Sequence, residues 1–205
     1  MLRLPFTLKE HLAAAAGAVR SAVAGHGVTA IPTETFYGLA VDPRDNEAVG
    51  RVFDLKGRPV EKALLVVGAS LAQLERLVVV PPDWRSRLEA AWPAPVTVVL
   101  PACSRLAAGG AGRTLAVRVP SNDLLRALLE VVGPLTATSA NRSGGAPLVS
   151  ADDVADLLGH GLAVLLDGGD TPGGAPSSLL DLAVDPPRLV RAGPWEPPTA
   201  WGVKP

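Results

Sequence analysis

Polar and apolar positions alternate in blocks along this chain, now at helical spacing, now as short unbroken apolar runs. Helical spacing holds over residues 8–24 and stops at Gly25-His26-Gly27. Thr7-Leu8-Lys9-Glu10 has the form of a capping box that would open this helix. Residues 28–31 form a β-branched run closed by Pro32, a strand pattern. Over 46–55, Ala48, Val49, Val52, Phe53 and Leu55 make one apolar face and predict a second helix. It delivers Lys56 and Arg58 at its C-terminal end, where cations suit the helix dipole. The continuous apolar run 63–67 predicts a buried strand, Ser70 opens a short helix, and a further helix over 83–91 closes at Trp92-Pro93. Strands are predicted at 96–100 and 115–119, then a helix capped by Ser121 and running to about 132. A strand over 135–138 feeds Ser139-Ala140-Asn141, and a helix covers 150–158. Late strands fall at 163–166, 177–182 and 189–191, with Asp185-Pro186-Pro187 turning the last two into a hairpin.

Strands alternating with helices predict an α/β fold. The last strands have no helix between them, so the sheet should be mixed. The 205 residues suit one domain over 1–205, with an irregular tail after about 193. The Gly/Ala/Pro-rich segments 103–113 and 168–176 are the expected flexible loops. Hydrophobic residues make up 48% and charged ones 19%, a globular balance, and at 4% aromatic the core must rest on Leu, Val and Ala.

A net charge of -1 excludes a globally basic nucleic-acid binder and leaves room for a local basic patch. The single Cys103 excludes an internal disulfide and a cysteine metal cluster, and fits a reducing, cytoplasmic setting. No apolar run approaches the ~18 residues that span a bilayer, so no membrane association is expected. The run 12–19 followed by Ala22-Val23-Ala24 imitates a cleavable leader, but Glu10, His11 and Arg20 argue against export.

The familiar catalytic signatures are missing. No Gly-Lys-Ser/Thr loop occurs, and Gly25-His26-Gly27 precedes its strand where a dinucleotide loop should follow one. His11, His26 and His160 sit in unrelated settings, without a triad or a metal-binding pattern. Two stretches stand out instead. Lys56-Gly57-Arg58-Pro59 places two cations where a helix should stop, and Gly57 would let a ligand approach the backbone. These are either two solvated cations or a phosphate site. Thr138-Ser139-Ala140-Asn141-Arg142-Ser143-Gly144 follows an apolar strand, and reads as a polar turn or as ligand-binding hydroxyl and amide groups at a strand end. Arg118 lies in an apolar strand and needs an anionic partner, either a structural Asp or a substrate carboxylate. Thr35, Ser177 and Arg191 are weak signals by themselves.

Together with Pro32-Thr33-Glu34-Thr35-Phe36-Tyr37-Gly38-Leu39, Trp92-Pro93-Ala94-Pro95-Val96-Thr97, Ala116-Val117-Arg118-Val119-Pro120, Pro176-Ser177-Ser178 and Arg191-Ala192-Gly193, these stretches make the chain resemble the YrdC family in its short bacterial form. The resemblance runs from about Ile31 to Gly193. It implies an open twisted mixed β-sheet with helices on its faces and a concave ligand pocket. It also implies synthesis of threonylcarbamoyl-AMP from L-threonine, bicarbonate and ATP, with Mg²⁺ and release of pyrophosphate. A threonylcarbamoyl-transferase complex would then carry the group to tRNA.

By the same resemblance, Lys56 and Arg58 would be the catalytic cations. Lys56, Arg58 and Lys62 would face the ATP phosphates, and Thr114, Asn141 and Arg191 would hold the nucleotide. Thr35, Arg118, Ser139 and Ser177 would hold threonine. Glu61-Lys62-Ala63-Leu64, Val67, Val149 and Ser178 depart from the family pattern and bear on the amino-acid pocket. Two rival readings share the fold. One is a non-enzymatic double-stranded-RNA or ribosome-binding module. The other is a paralogue running adenylation or carbamoyl transfer on another substrate.

Overall fold

The protein is described by a computed structural model covering residues 1–57 and 63–204. Its elements, in chain order, are β1 (Leu2–Pro5), α1 (Leu12–Ala24), β2 (Val28–Pro32), β3 (Tyr37–Ala40), α2 (Asn46–Lys56), β4 (Val66–Val67), α3 (Leu71–Leu74), α4 (Pro82–Ala91), β5 (Val96–Pro101), β6 (Thr114–Arg118), α5 (Asp123–Val132), β7 (Leu135–Thr136), β8 (Thr138–Ser139), α6 (Ala151–Leu158), β9 (Leu162–Asp167), β10 (Ser178–Asp181) and β11 (Arg188–Arg191). The α/β class and the mixed pairing are as expected. The strands divide between two sheets, ordered β1-β9-β2-β3-β8 and β11-β10-β5-β6-β4-β7. In the first, β9 pairs parallel with β1 and β2 while β3 runs antiparallel to β2 and β8. In the second, β5 pairs parallel with β10 and antiparallel with β6, and β11 closes an antiparallel hairpin with β10.

The division explains where the strand pattern misleads. The apolar run 135–138 is not one strand, because Leu135–Thr136 belongs to the second sheet and Thr138–Ser139 to the first. The chain steps across at Ala137, whose N–H bonds the Leu65 carbonyl at 2.8 Å. Thr136 is fully buried and fastens the crossing. Its hydroxyl accepts from the Val41 N–H and donates to the Leu39 carbonyl, both at 3.0 Å. Of the run 63–67, only Val66–Val67 pairs as strand. β1 and β3 carry no clear periodicity and were not expected from sequence; they form because β9 and β2 offer open edges.

Helix ends follow local hydrogen bonding. Asp45 caps α2, accepting from the N–H groups of Glu47 and Ala48 at 3.0 and 3.1 Å. Ser70 and Ser150 cap α3 and α6. The expected box at Thr7 does not form: the His11 ring nitrogen accepts from the Thr7 and Leu8 N–H groups instead, each at 3.2 Å. Asn122, not Ser121, caps α5, bonding the Leu125 N–H at 2.9 Å. Gly57 ends α2 in the left-handed region (φ 58°), and a Cβ there would meet nothing within 4 Å. The left-handed turn that ends the helix therefore favours glycine here.

Two apolar clusters fill the layers. One gathers Tyr37, Leu39, Phe53, Leu64, Val98 and Leu115 between the sheets and their helices. The other packs α1 on α5 through Ala15, Val19, Leu125 and Leu128 over Ile31 and Leu166. After Gly193 the chain returns to the body: Lys204 pairs with Arg188, and Trp201 stacks edge-on against Trp84 at 5.2 Å.

Away from these clusters, His26 carries a testable pH dependence. Its Nδ1 lies 2.6 Å from Asp45 Oδ2, so the ring is tied to the cap of α2. The bond to Asp45 raises the His26 pKa above its ordinary 6.5. A raised folded-state pKa means that this stabilisation is fully present below about pH 6.5 and lost as pH climbs through the folded value. His26→Gln is expected to remove that part of the change in Tm between about pH 6 and about pH 9 that the ion pair contributes. Identical Tm profiles in the two proteins would contradict it.

Candidate active site

The two sheets face each other across a hollow of about 450 Å³. Its walls come from both. The loop after β2 supplies Thr33 and Thr35, and β5 supplies Thr97. β6 supplies Ala116 and Arg118, and β8 supplies Thr138 and Ser139. The chain leading into β10 brings Ser177, and β11 brings Arg191. Strand alternation sets what β6 presents: Leu115 and Val117 point into the core while Ala116 and Arg118 share the opposite face. Gly38, Ala116 and Ala137 contribute almost no side-chain volume, which keeps the space between the sheets open.

Hydroxyl groups dominate the polar lining and are mutually oriented. Thr33 Oγ1 accepts from the Thr35 and Phe36 N–H groups at 3.2 and 3.3 Å and donates to the Phe36 carbonyl at 2.7 Å. The Thr97 and Ser177 hydroxyls lie 2.9 Å apart. Arg191 grips the same wall, donating from Nε and Nη2 to the Ser177 carbonyl at 3.1 and 2.9 Å. Gly193 lies so close behind that a Cβ would overlap the Pro176 carbonyl and the Ser178 N–H.

Lys56 is 3% exposed, and its ammonium organises the loop after β8. It donates to the Ser139 carbonyl, and at 3.0 Å to both the backbone carbonyl and the side-chain Oδ1 of Asn141. Asn141 Oδ1 also accepts from the Ser139 hydroxyl at 2.6 Å, while its Nδ2 donates to the carbonyls of Arg142 and Gly145. One helix end and one loop, about eighty residues apart, are thus joined through a charged, buried network behind the Ser139 wall.

Arg118 is a second deeply placed charge. Its side chain is 4% exposed and meets Glu34, 12% exposed, with Nη1 3.2 Å from Oε1. Burial lowers the Arg118 pKa, Glu34 opposes that shift, and Arg191 adds to it. Beside the hollow, the Tyr37 phenol donates to the Gly169 carbonyl at 2.7 Å and accepts from the Gly168 N–H at 3.0 Å. Burial pushes this phenol up to about 12, so it stays a donor at neutral pH. These bonds, with Gly173 N–H to the Thr35 carbonyl at 2.7 Å and Thr171 N–H to the Val149 carbonyl at 2.8 Å, tie residues 168–173 to Tyr37, Thr35 and Val149.

Residues 21–193 match the protein family described as telomere recombination, Sua5/YciO/YrdC. The chain belongs to this family. A threonylcarbamoyl-AMP synthase of Pyrococcus abyssi is 39% identical over 171 residues, covering 81% of this chain and 50% of the relative. One from Vibrio parahaemolyticus is 34% identical over 172 residues, covering 81% of this chain and 92% of the relative. The crystal structure of Pyrococcus abyssi Sua5 complexed with L-threonine superposes with a TM-score of 0.82 at 35% identity, over 93% of this chain and 56% of that one. The chain thus spans about half the length of the archaeal relative and nearly all of the bacterial one.

Among the residues that the Sua5/YciO/YrdC resemblance singles out, Thr35, Arg118, Ser139, Ser177 and Arg191 line one hollow. Lys56 and Asn141 lie behind it, bound to each other. Thr114 opens β6 on the same face as Ala116 and Arg118 but does not line the hollow. Arg58 and Lys62 fall outside the described residues. Val67 is fully buried in the α1/α5 cluster, away from the lining. Sequence reasoning passed over Thr33, Thr97, Tyr37 and the acid facing Arg118. That acid is Glu34; the sequence left a structural Asp or a substrate carboxylate open as the partner of Arg118. A hydroxyl inside the otherwise apolar Val96-Thr97-Val98-Val99 and an acid between two threonines were the available signals.

Proposed function

We propose that this chain condenses L-threonine, bicarbonate and ATP into L-threonylcarbamoyladenylate and pyrophosphate. The observation that carries the reading is Arg118, a buried guanidinium at the wall of a hydroxyl-lined hollow, in a chain superposable on a threonine-bound relative. Arg118 takes the threonine carboxylate through paired N–H donors, the geometry a guanidinium suits best. The hydroxyls of Thr35, Thr97, Ser139 and Ser177 surround the amino acid. A site built to bond a hydroxyl can reject an analogue lacking it by roughly 10⁴-fold.

The threonine amine attacks the carbon of carbon dioxide, formed from bicarbonate by loss of hydroxide; a C–N bond forms as one C=O π bond opens, the nitrogen gives up a proton that combines with that hydroxide as water, and a carbamate results. A carbamate oxygen then attacks the α-phosphorus, and the bond to the β-phosphate oxygen breaks, sending the electron pair out with pyrophosphate. Neither step demands a histidine. Positioning and neutralisation of phosphate charge supply the rate. Arg191, fixed on Ser177, and the cations Arg58 and Lys62 are the groups assigned to the nucleotide, with Thr114 at the start of β6. Lys56 acts from behind, holding Ser139 and Asn141 in place. Among the described residues no cluster of three His, Cys, Asp or Glu could hold a metal ion. Mg²⁺ would come with the substrate as MgATP and would supply neutralisation of phosphate charge. The chain acts as one domain and passes its product to a threonylcarbamoyl-transferase complex that modifies tRNA; among the described residues no helix is long and apolar enough to cross a membrane.

Purified protein with MgATP is expected to release pyrophosphate only when threonine and bicarbonate are both present. Folded protein that releases none, or releases it equally without threonine, overturns the proposal.

A further inference from the structure

The Glu34–Arg118 pair is built unlike an ordinary buried salt bridge. Both Glu34 oxygens and Arg118 Nε are sealed from solvent, and none of the three has a hydrogen-bond partner among the described residues. The contact at 3.2 Å is one of charge, without hydrogen-bond alignment. A buried pair that only stabilised the fold would be expected to satisfy its donors and acceptors, because desolvating two ions otherwise costs more than their attraction returns. Glu34 therefore neutralises Arg118 without using up its donors. Arg118 lines the hollow and Glu34 does not, so the acid stands behind the guanidinium.

Arg191, the other guanidinium on the hollow, differs. Its partners are the carbonyl and hydroxyl of Ser177, both uncharged, and no carboxylate pairs with it among the described residues. The two guanidiniums thus offer two kinds of subsite, one charge-balanced and one cationic. A balanced subsite favours a ligand that brings a carboxylate and an ammonium together; a cationic one favours a polyanion such as a triphosphate.

We infer that Glu34 is a specificity-determining positioning residue: it balances Arg118 so that this part of the hollow selects a zwitterionic amino acid over a carboxylate that lacks the amine. The inference rests on the threonine reading of the hollow and names the feature that would enforce it. It also gives the Arg118 donors an acceptor only when substrate is bound, since Glu34 leaves them free of hydrogen bonds.

The test compares L-threonine with 3-hydroxybutyrate, which keeps the carboxylate and hydroxyl and lacks the amine, by titration calorimetry without nucleotide. Wild-type protein is expected to bind threonine at least about tenfold tighter. In Glu34→Gln that ratio is expected to shrink by about tenfold or more, because the added net positive charge favours the anion over the zwitterion. Glu34→Ala removes the charge without burying an amide, so the ratio remains readable should one variant fail to fold. A role limited to structure would weaken both ligands together and leave the ratio unchanged in a folded variant. That result overturns the inference, as does wild-type protein binding 3-hydroxybutyrate as tightly as threonine. Wild-type protein that binds neither ligand sinks the threonine reading itself, and is thereby distinguished from failure of the Glu34 assignment.

Discussion

Arg118→Ala is expected to lower kcat/KM for threonine by about 10²- to 10⁴-fold. Two charge-assisted hydrogen bonds at ~1.5–3 kcal/mol each set that range. The same substitution strips Glu34 of its counter-charge inside the fold, and removing one member of a buried pair costs about 3–5 kcal/mol. A lost activity could then be lost folding. Arg118→Met combined with Glu34→Leu separates the two, because it removes both charges, nearly retains the volume and buries no unpaired amide. This double variant is expected to melt close to wild type, since uncharged replacements of a buried pair are often neutral or stabilising. It is expected to remain inactive towards threonine while still binding ATP. Wild-type KM for threonine in the folded double variant would remove Arg118 from the substrate site.

Lys56→Met is expected to produce the second large effect by a different route. The ammonium bonds the carbonyls of Ser139 and Asn141 and the Asn141 side chain, so its loss takes a charged donor from each, and Oδ1 keeps only the Ser139 hydroxyl. A buried oxygen left with no donor costs about 1–3 kcal/mol. The Ser139–Asn141 wall then loses its side-chain anchor to α2, the backbone bond from the Ser143 N–H to the residue 56 carbonyl remaining, and turnover is expected to fall at least about 10²-fold together with Tm. Lys56→Arg is not expected to rescue it, because a planar guanidinium cannot reproduce the tetrahedral spread of three ammonium donors. Full activity in Lys56→Arg, read by pyrophosphate release, would show that only the charge matters at this position.

The helices and the long strands could be read from the chain because each obeys one local rule. α2 shows an apolar stripe ended by Gly57, and β5 an apolar run bounded by prolines. What could not be read was non-local. The split at Ala137 depends on Leu65 and Val41 lying on either side of the crossing, and no periodicity within 135–138 reports that. The five residues gathered on the hollow were identified through the resemblance, since Thr35 or Ser177 alone looks like any surface hydroxyl. The demand of Arg118 for an anion could be read from its apolar strand, but the identity of the anion could not. Glu34 lies eighty-four positions away in sequence, and only the folding of β2 and β6 into facing sheets brings the two within 3.2 Å. The burial of Lys56 was likewise hidden. Its place at a helix end suggested an outward phosphate ligand, and its burial against Asn141 depends on where the loop after β8 returns.

The most direct measurement is a crystal structure of the protein with L-threonine and ATP. The threonine carboxylate is expected within hydrogen-bond distance of the Arg118 guanidinium, its hydroxyl among the Thr35, Thr97, Ser139 and Ser177 side chains, and the nucleotide phosphates towards Arg191. Threonine bound with its carboxylate away from Arg118, or outside the space between the two sheets, would contradict the assignment of this hollow as the site of threonine activation.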